Sequence, residues 1–306
     1  MLPSLLLRLA KDGRRTGLVI VCLVVTLALT VPQGSSLAQG GDPVLVGAGD
    51  IANCGANGDE LTANLLDNIP GIVFAAGDLQ YGDASLGYEA CYGPSWGRHK
   101  GRTRPIPGNH DYSTPGAAKY FAYFGDAAGP VGKGYYSYDL GAWHIIALNT
   151  NPVKGLQEEE SKWLIADLAA HPNVCTLAIG HNPVFSSGIY GVTAYSKLYF
   201  KILYDAGADV FISGDAHDYE RFAPQSLYGQ KQPTRGIRQF VVGTGGAPTT
   251  RMGAKWRNSE ARNDQTWGVL KLTLHATSYS WEFVPVAGGK FSDSGTSPCV
   301  VTPTGL

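Results

Sequence analysis

The sequence predicts an α/β protein in which two mixed sheets carry helices on their outer sides, and three observations lead there. Five apolar runs, at 44–50, 72–78, 104–110, 176–181 and 210–217, each contain a glycine followed at once by a residue able to hold a metal. Short apolar runs bounded by turn residues read as strands buried on both faces. Helix signals alternate with these runs, and hairpin-like strands stand in the middle and at the end, which argues for two sheets rather than one.

Taken in order, residues 1–38 read as a secretory signal. Arg8, Lys11, Arg14 and Arg15 precede an uncharged apolar stretch at 17–31, and Ser36-Leu37-Ala38 offers cleavage after Ala38. The stretch falls short of the roughly 20 residues that span a membrane, so an exported chain with no membrane segment in its mature form is expected. Residues 39–290 are expected to form one domain. Residues 291–306, rich in Ser, Thr, Pro and Gly, are expected to form an irregular tail pinned through Cys299.

Within the domain, 58–68 reads as a helix that stops before Pro70. A loop rich in glycine and aromatics, 81–96, precedes the third run. Thr114-Pro115-Gly116 leads into a helix over 117–124, with proline suited to a helix start. The β-rich runs 135–140 and 143–149, joined by Gly141-Ala142, read as a hairpin. Residues 156–170 carry Glu158, Glu159 and Glu160 near the start, where negative charge suits a helix, and apolar residues at helical spacing that should pack on a sheet. A helix near 196–206 separates the fourth and fifth runs, and late strands are expected at 236–243, 267–275 and 279–285.

The formal net charge is −1 in 306 residues, which gives no reason to expect a nucleic-acid backbone or an anionic membrane as partner. Cys54, Cys91, Cys175 and Cys299 remain after export, an even number that suggests two disulfides with three possible pairings. Cys54 and Cys91 each follow a ligand-bearing strand end, which favours Cys54–Cys91 and Cys175–Cys299. His99, His144, His171 and His275 lie outside the five runs and read as surface or structural residues.

The five strand ends offer Asp50, Asp78, Asn109, His110, His181, Asp215 and His217, with Tyr81 three residues after Asp78. One metal has no use for so many groups. Two metals do, if a carboxylate bridges them, and two ions about 3.5–4 Å apart can clamp the attacking and leaving oxygens of a phosphoryl displacement. Aspartate and asparagine oxygens mixed with imidazoles suit Fe, Mn or Zn. After the fifth run, Glu220 and Arg221 are candidates for substrate contact or for a structural ion pair.

In this order the motifs resemble the calcineurin-like metallophosphoesterases, and among them the purple acid phosphatases and their bacterial relatives, over residues 44–285. The resemblance implies a four-layer αββα sandwich of two mixed sheets flanked by helices, with a two-metal site at the strand C-terminal edge. Gly77-Asp78-Leu79-Gln80-Tyr81 is similar to the form in which tyrosinate binds ferric iron, and Ala52 stands where other members place a histidine. It implies Asp50, Asp78, Tyr81 and His217 on the first metal, an Fe ion, and Asn109, His181 and Asp215 with bridging Asp78 on a second divalent ion (Mn, Fe, Zn or Mg). His110 would lie beside the substrate with Asn109, and a metal-bound hydroxide would attack phosphorus in line. The implied activity is hydrolysis of a small phosphorylated substrate, a phosphomonoester, or alternatively a diester or nucleotide.

One position departs from the pattern. The fifth motif of the family reads Gly-His-x-His, whereas here it is Gly214-Asp215-Ala216-His217. With a ferric and a divalent ion and a bridging hydroxide, the added carboxylate brings the formal site charge from about +1 to about zero, and favours harder ions such as Mn or Mg. The rival expectation is a non-catalytic binder of an anionic ligand that lost its second metal through Asp215.

Overall fold

The computed structural model describes residues 41–83, 85–172, 175–189 and 194–300. The expected signal segment lies outside them. Among the described residues no helix is long and apolar enough to cross a membrane.

In chain order the first elements are β1 (Val44–Ala48), β2 (Ala52–Asn53), α1 (Gly58–Asp67), β3 (Ile72–Ala76), β4 (Gln80–Tyr81), β5 (Thr103–Ile106) and α2 (Ala118–Phe124). There follow β6 (Tyr136–Leu140), β7 (Trp143–Ala147), α3 (Leu156–Ala170), β8 (Cys175–Ile179), α4 (Ala194–Ala206) and β9 (Val210–Ser213). Last come β10 (Tyr219–Phe222), β11 (Arg238–Val242), β12 (Ser259–Asn263), β13 (Gly268–Leu274), β14 (Ser278–Pro285) and β15 (Ser294–Pro298). One sheet has the order β15-β14-β13-β1-β3-β5, the other β12-β10-β11-β9-β8-β7-β6, and β2 pairs with β4 in a two-stranded ribbon.

The expected sandwich of two mixed sheets is what forms. β1, β3 and β5 are parallel in the first sheet, and β7, β8, β9 and β11 are parallel in the second. Strand burial explains why their sequences read as unbroken apolar runs. Along β7, Trp143, Ile145 and Ala147 enter the core between the sheets, while Ile146 faces a second core with Leu164 of α3 and Phe200 and Leu203 of α4. Each fully buried side chain of this size contributes about 1.5–3 kcal/mol relative to an exposed one, so these two apolar layers dominate stability.

α3 keeps its expected bounds, but its buried face is not simply apolar. Leu156 and Leu164 share that face with Glu160 and Asp167. Glu160 accepts the amide of Asn149 at 2.8 Å and the phenol of Tyr199 at 2.9 Å. Asp167 accepts Ser137 Oγ at 2.8 Å and lies 2.8 Å from His144 Nε2, so His144 is structural, as expected. Burial pushes the Glu160 carboxyl up to about 8, with the Asn149 and Tyr199 bonds opposing. A carboxyl raised in the folded state from 4.5 contributes stability that is full below pH 4.5 and is lost as pH rises through about 8. Glu160→Gln, which carries no charge at any pH, is therefore expected to flatten the decline in Tm between pH 5 and 8. An unchanged decline would show that this carboxyl ionises without cost.

Both disulfides have the favoured pairing, Cys54–Cys91 and Cys175–Cys299. The tail needs correction. Residues 294–298 are not irregular but form edge strand β15, antiparallel to β14. Alternating exposure along Ser-Gly-Thr-Ser-Pro explains why no apolar pattern announces it. β12 was likewise unannounced, a polar strand paired to β10 at the other sheet's edge.

Candidate metal centre

Parallel strands that enter side by side also end side by side. Asp50 follows β1, Asp78 follows β3, and Asn109 and His110 follow β5, all at one edge of the first sheet. His181 follows β8, and Asp215 and His217 follow β9, at the matching edge of the second. Backbone bonds stitch these edges together: Gly49 N donates to Val242 O at 2.9 Å across the two sheets, and Gly214 N to His181 O at 2.9 Å. Two glycines show why the motif needs them. A Cβ at Gly108 would stand 2.1 Å from Asp78 Oδ1, and one at Gly77 would stand 2.4 Å from His181 Nδ1.

Three of the aspartates share a backbone feature. Asp50, Asp78 and Asp215 have φ of 59°, 52° and 65°, the left-handed region that few side chains tolerate and that collects at functional sites.

The side chains gather into two clusters. In one, Tyr81 Oη donates to Asp50 Oδ1 at 2.6 Å, lies 3.0 Å from Asp78 Oδ2 and 3.0 Å from His217 Nε2, and His217 Nε2 is 3.3 Å from Asp50 Oδ1. In the other, His181 Nε2 is 3.2 Å from Asn109 Oδ1, 3.4 Å from Asp78 Oδ1 and 3.6 Å from Asp215 Oδ1. Asp78 turns one oxygen to each cluster. Each histidine is oriented through its other nitrogen, His181 Nδ1 to Ala76 O at 2.9 Å and His217 Nδ1 to Pro248 O at 2.8 Å, which turns both Nε2 atoms inward as metal-binding imidazoles require.

This donor set fits a pair of cations. Burial works to raise the Asp78 carboxyl, yet the charge and hydrogen bond of His181, with His110, outweigh it and hold it low. Burial lowers His217, but the Asp50 bond and charge prevail and push it up to about 9. Tyr81 is driven far up by burial and then by Asp50 and Asp78. The Tyr81 phenol lies between the Asp50 and Asp78 carboxylates, within hydrogen-bond distance of both. His110 is half exposed at the opening, its ring 4.4 Å from that of Tyr81 and its amide donating to Asp78 Oδ1 at 2.8 Å.

Glu220 and Arg221 do not join the site. Successive residues of β10 point to opposite faces. Glu220, fully buried, accepts Ser187 N at 2.7 Å and Ser187 Oγ at 2.6 Å. Arg221 turns the other way to Asp293, at 2.7 Å, and to Glu260. Their partners are scaffold groups on opposite faces of β10.

Asp111, which closes the Gly-Asn-His-Asp motif, was assigned no role by its spacing. It is buried and accepts four donors: Gly108 N at 2.7 Å and Asp78 N at 3.0 Å on Oδ2, Leu79 N at 3.2 Å and Tyr88 Oη at 2.5 Å on Oδ1. It therefore ties the exits of β3 and β5 together. Polarity in a motif otherwise made of ligands was the only local signal.

Comparison with known proteins adds to this geometry. The family model described as calcineurin-like phosphoesterase matches residues 37–219, more than half of the chain. Purple acid phosphatase 15 of Arabidopsis thaliana is 26% identical over 232 residues, 62% of this chain and 42% of its own length. Purple acid phosphatase 21 of the same plant is 30% identical over 118 residues, 37% of this chain and 26% of its own. The chain thus spans less than half the length of these relatives. Among solved structures, purple acid phosphatase PPD1 from yellow lupin (Lupinus luteus) seeds superposes with a TM-score of 0.63 at 20% identity, over 85% of this chain and 54% of that one. GAP50, the anchor in the inner membrane complex of Plasmodium, gives 0.66 at 16% identity, over 85% and 90%. At such identities these two likenesses speak to the fold.

Proposed function

The chain belongs to the calcineurin-like phosphoesterase family, and from that premise we propose that it is an exported two-metal phosphoester hydrolase of the purple acid phosphatase-like branch, acting on a small phosphomonoester. The observation that carries the reading is the division of Asp78, whose two oxygens serve two donor clusters at once.

In this reading Asp50, Asp78, Tyr81 and His217 hold one ion, and Asp78, Asn109, His181 and Asp215 hold the other. A bound pair supplies Lewis acidity toward a phosphoryl oxygen and lowers the pKa of water. The chain's own part is placement. Asp78 is kept ionised, Asp50 is held by the Tyr81 phenol and the Asp215 amide, His181 and His217 are aimed by backbone carbonyls, and His110 at the opening stabilises phosphoryl oxygens or gives the leaving oxygen its proton.

The test is turnover of an aryl phosphate by the mature protein after loading with Fe, Mn, Zn or Mg, alongside metal analysis. No turnover with any ion, and one metal or fewer per chain, would sink the enzyme reading and leave the anion-binding one, in which Asp215 marks a lost second metal. Turnover only of diesters or nucleotides would move the substrate class within the family.

Asp215 sets a second expectation. Its Oδ1 lies 3.6 Å from His181 Nε2, and burial, ahead of the opposing His181 charge, raises its carboxyl. Asp215→His is expected to tighten the second ion about tenfold or to raise turnover, since histidine brings a neutral donor of longer reach and tolerates left-handed backbone. Equal or weaker binding in the variant would mean that the aspartate suits its ion.

A further inference from the structure

The four donors to Asp111 do not come from one place. Three are amides of the two chain exits that carry Asp78 and Asn109-His110, whereas the fourth is the phenol of Tyr88, from the loop that follows β4. A carboxylate has about four lone-pair sites, and here all are used. Without the phenol, Oδ1 would retain only Leu79 N at 3.2 Å, and the carboxylate would be free to pivot about its bonds to Gly108 and Asp78. The Asp78 amide is one of those held, at the residue whose φ is 52° and whose side chain reaches both clusters.

The loop that presents the phenol is fastened at several points. Gln80, next to Tyr81, donates through Nε2 to Gly87 O at 3.1 Å and accepts Tyr92 N at 3.2 Å. Lys119 Nζ donates to Leu86 O at 3.2 Å, and Cys91 is bonded to Cys54 beside the β2–β4 ribbon. The Tyr88 ring packs edge-on against Tyr92 and Phe124. Such fastening gives the phenol one position, which is what a group that aims another group needs.

We propose that Tyr88 is a positioning residue for the metal centre: its phenol fixes the plane of Asp111, and through the Asp78 and Gly108 amides it sets the spacing of the two donor clusters. The inference rests on the two-metal reading above. Groups that orient metal ligands from behind change metal affinity or activity by about 10–100-fold when removed.

The experiment compares Tyr88→Phe with Tyr92→Phe, which takes a phenol from the same aromatic cluster but none from Asp111, each in the full chain. In the metal-free protein, hydrogen exchange at the Asp78, Leu79 and Gly108 amides is expected to quicken at least about tenfold in Tyr88→Phe only. Mn²⁺ affinity should weaken by about 10–100-fold, and kcat should fall in the same range with KM within about twofold. Exchange and Mn²⁺ affinity within twofold of the parent, or equal losses in Tyr92→Phe, would overturn the proposal. Absence of turnover in the parent would count against the phosphoesterase reading, while exchange and metal affinity would still decide the role of Tyr88.

Discussion

Asp78→Asn is expected to lower kcat/KM by about a thousandfold or more, roughly 4 kcal/mol of transition-state stabilisation, and to leave the chain with at most one metal ion. Its two oxygens face different donor clusters, Oδ2 toward Tyr81 and Oδ1 toward His181. The amide of asparagine keeps the shape, so Gly108 still fits against it, but it withdraws the negative charge that two cations would share. Changes confined to one cluster, such as Asp215→Ala, should cost less. Metal content and steady-state kinetics on the same preparation check this, and a variant with two ions and activity within tenfold of the parent would contradict the bridging role.

The largest effect on stability is expected from Cys175→Ser with Cys299→Ser. This bridge closes 124 residues of separation, against 37 for Cys54–Cys91. Closing the longer loop in the unfolded chain is worth about 5 kcal/mol and the shorter about 4 in the chain-entropy description. The longer bridge also secures the tail, whose Cys299 N donates to Thr277 O at 2.9 Å and whose Val300 N donates to Asp209. Thermal unfolding should move down by roughly 10 °C or more, at about 2–4 °C per kcal/mol for a domain of this size. A shift of only a degree or two would mean that β15 and its neighbours hold the tail without the covalent link.

What could be read from the sequence follows a physical division. The buried parallel strands announce themselves because both faces need apolar residues, and their glycine-ended exits carry the ligand-type residues in plain sight. Hence Asp50, Asp78, Tyr81, Asn109, His181, Asp215 and His217 could be named, and the structure brings them within a few ångströms of one another. Edge strands β12 and β15 leave no such mark, since half of each faces water. For Glu220 and Arg221, candidates for substrate contact or for a structural ion pair, the sequence could not name the partners for the same reason. Their partners, Ser187 and Asp293, stand 33 and 72 residues away, and no local pattern says which side of β10 meets which segment. Tyr88 and Asp111 likewise depend on a meeting of two distant segments.

The left-handed backbone at Asp50, Asp78 and Asp215 reaches beyond strain. Apart from glycine, the residues that settle readily into that conformation are aspartate, asparagine and histidine, so handedness restricts the alphabet from which these three positions can draw. Hard oxygens and imidazole are inside it, while glutamate, with its longer reach, and thiolate are not favoured. A lineage varying this site can therefore exchange aspartate for histidine at position 215 without rebuilding the turn. Retuning the centre for a soft ion through cysteine would require a new backbone first.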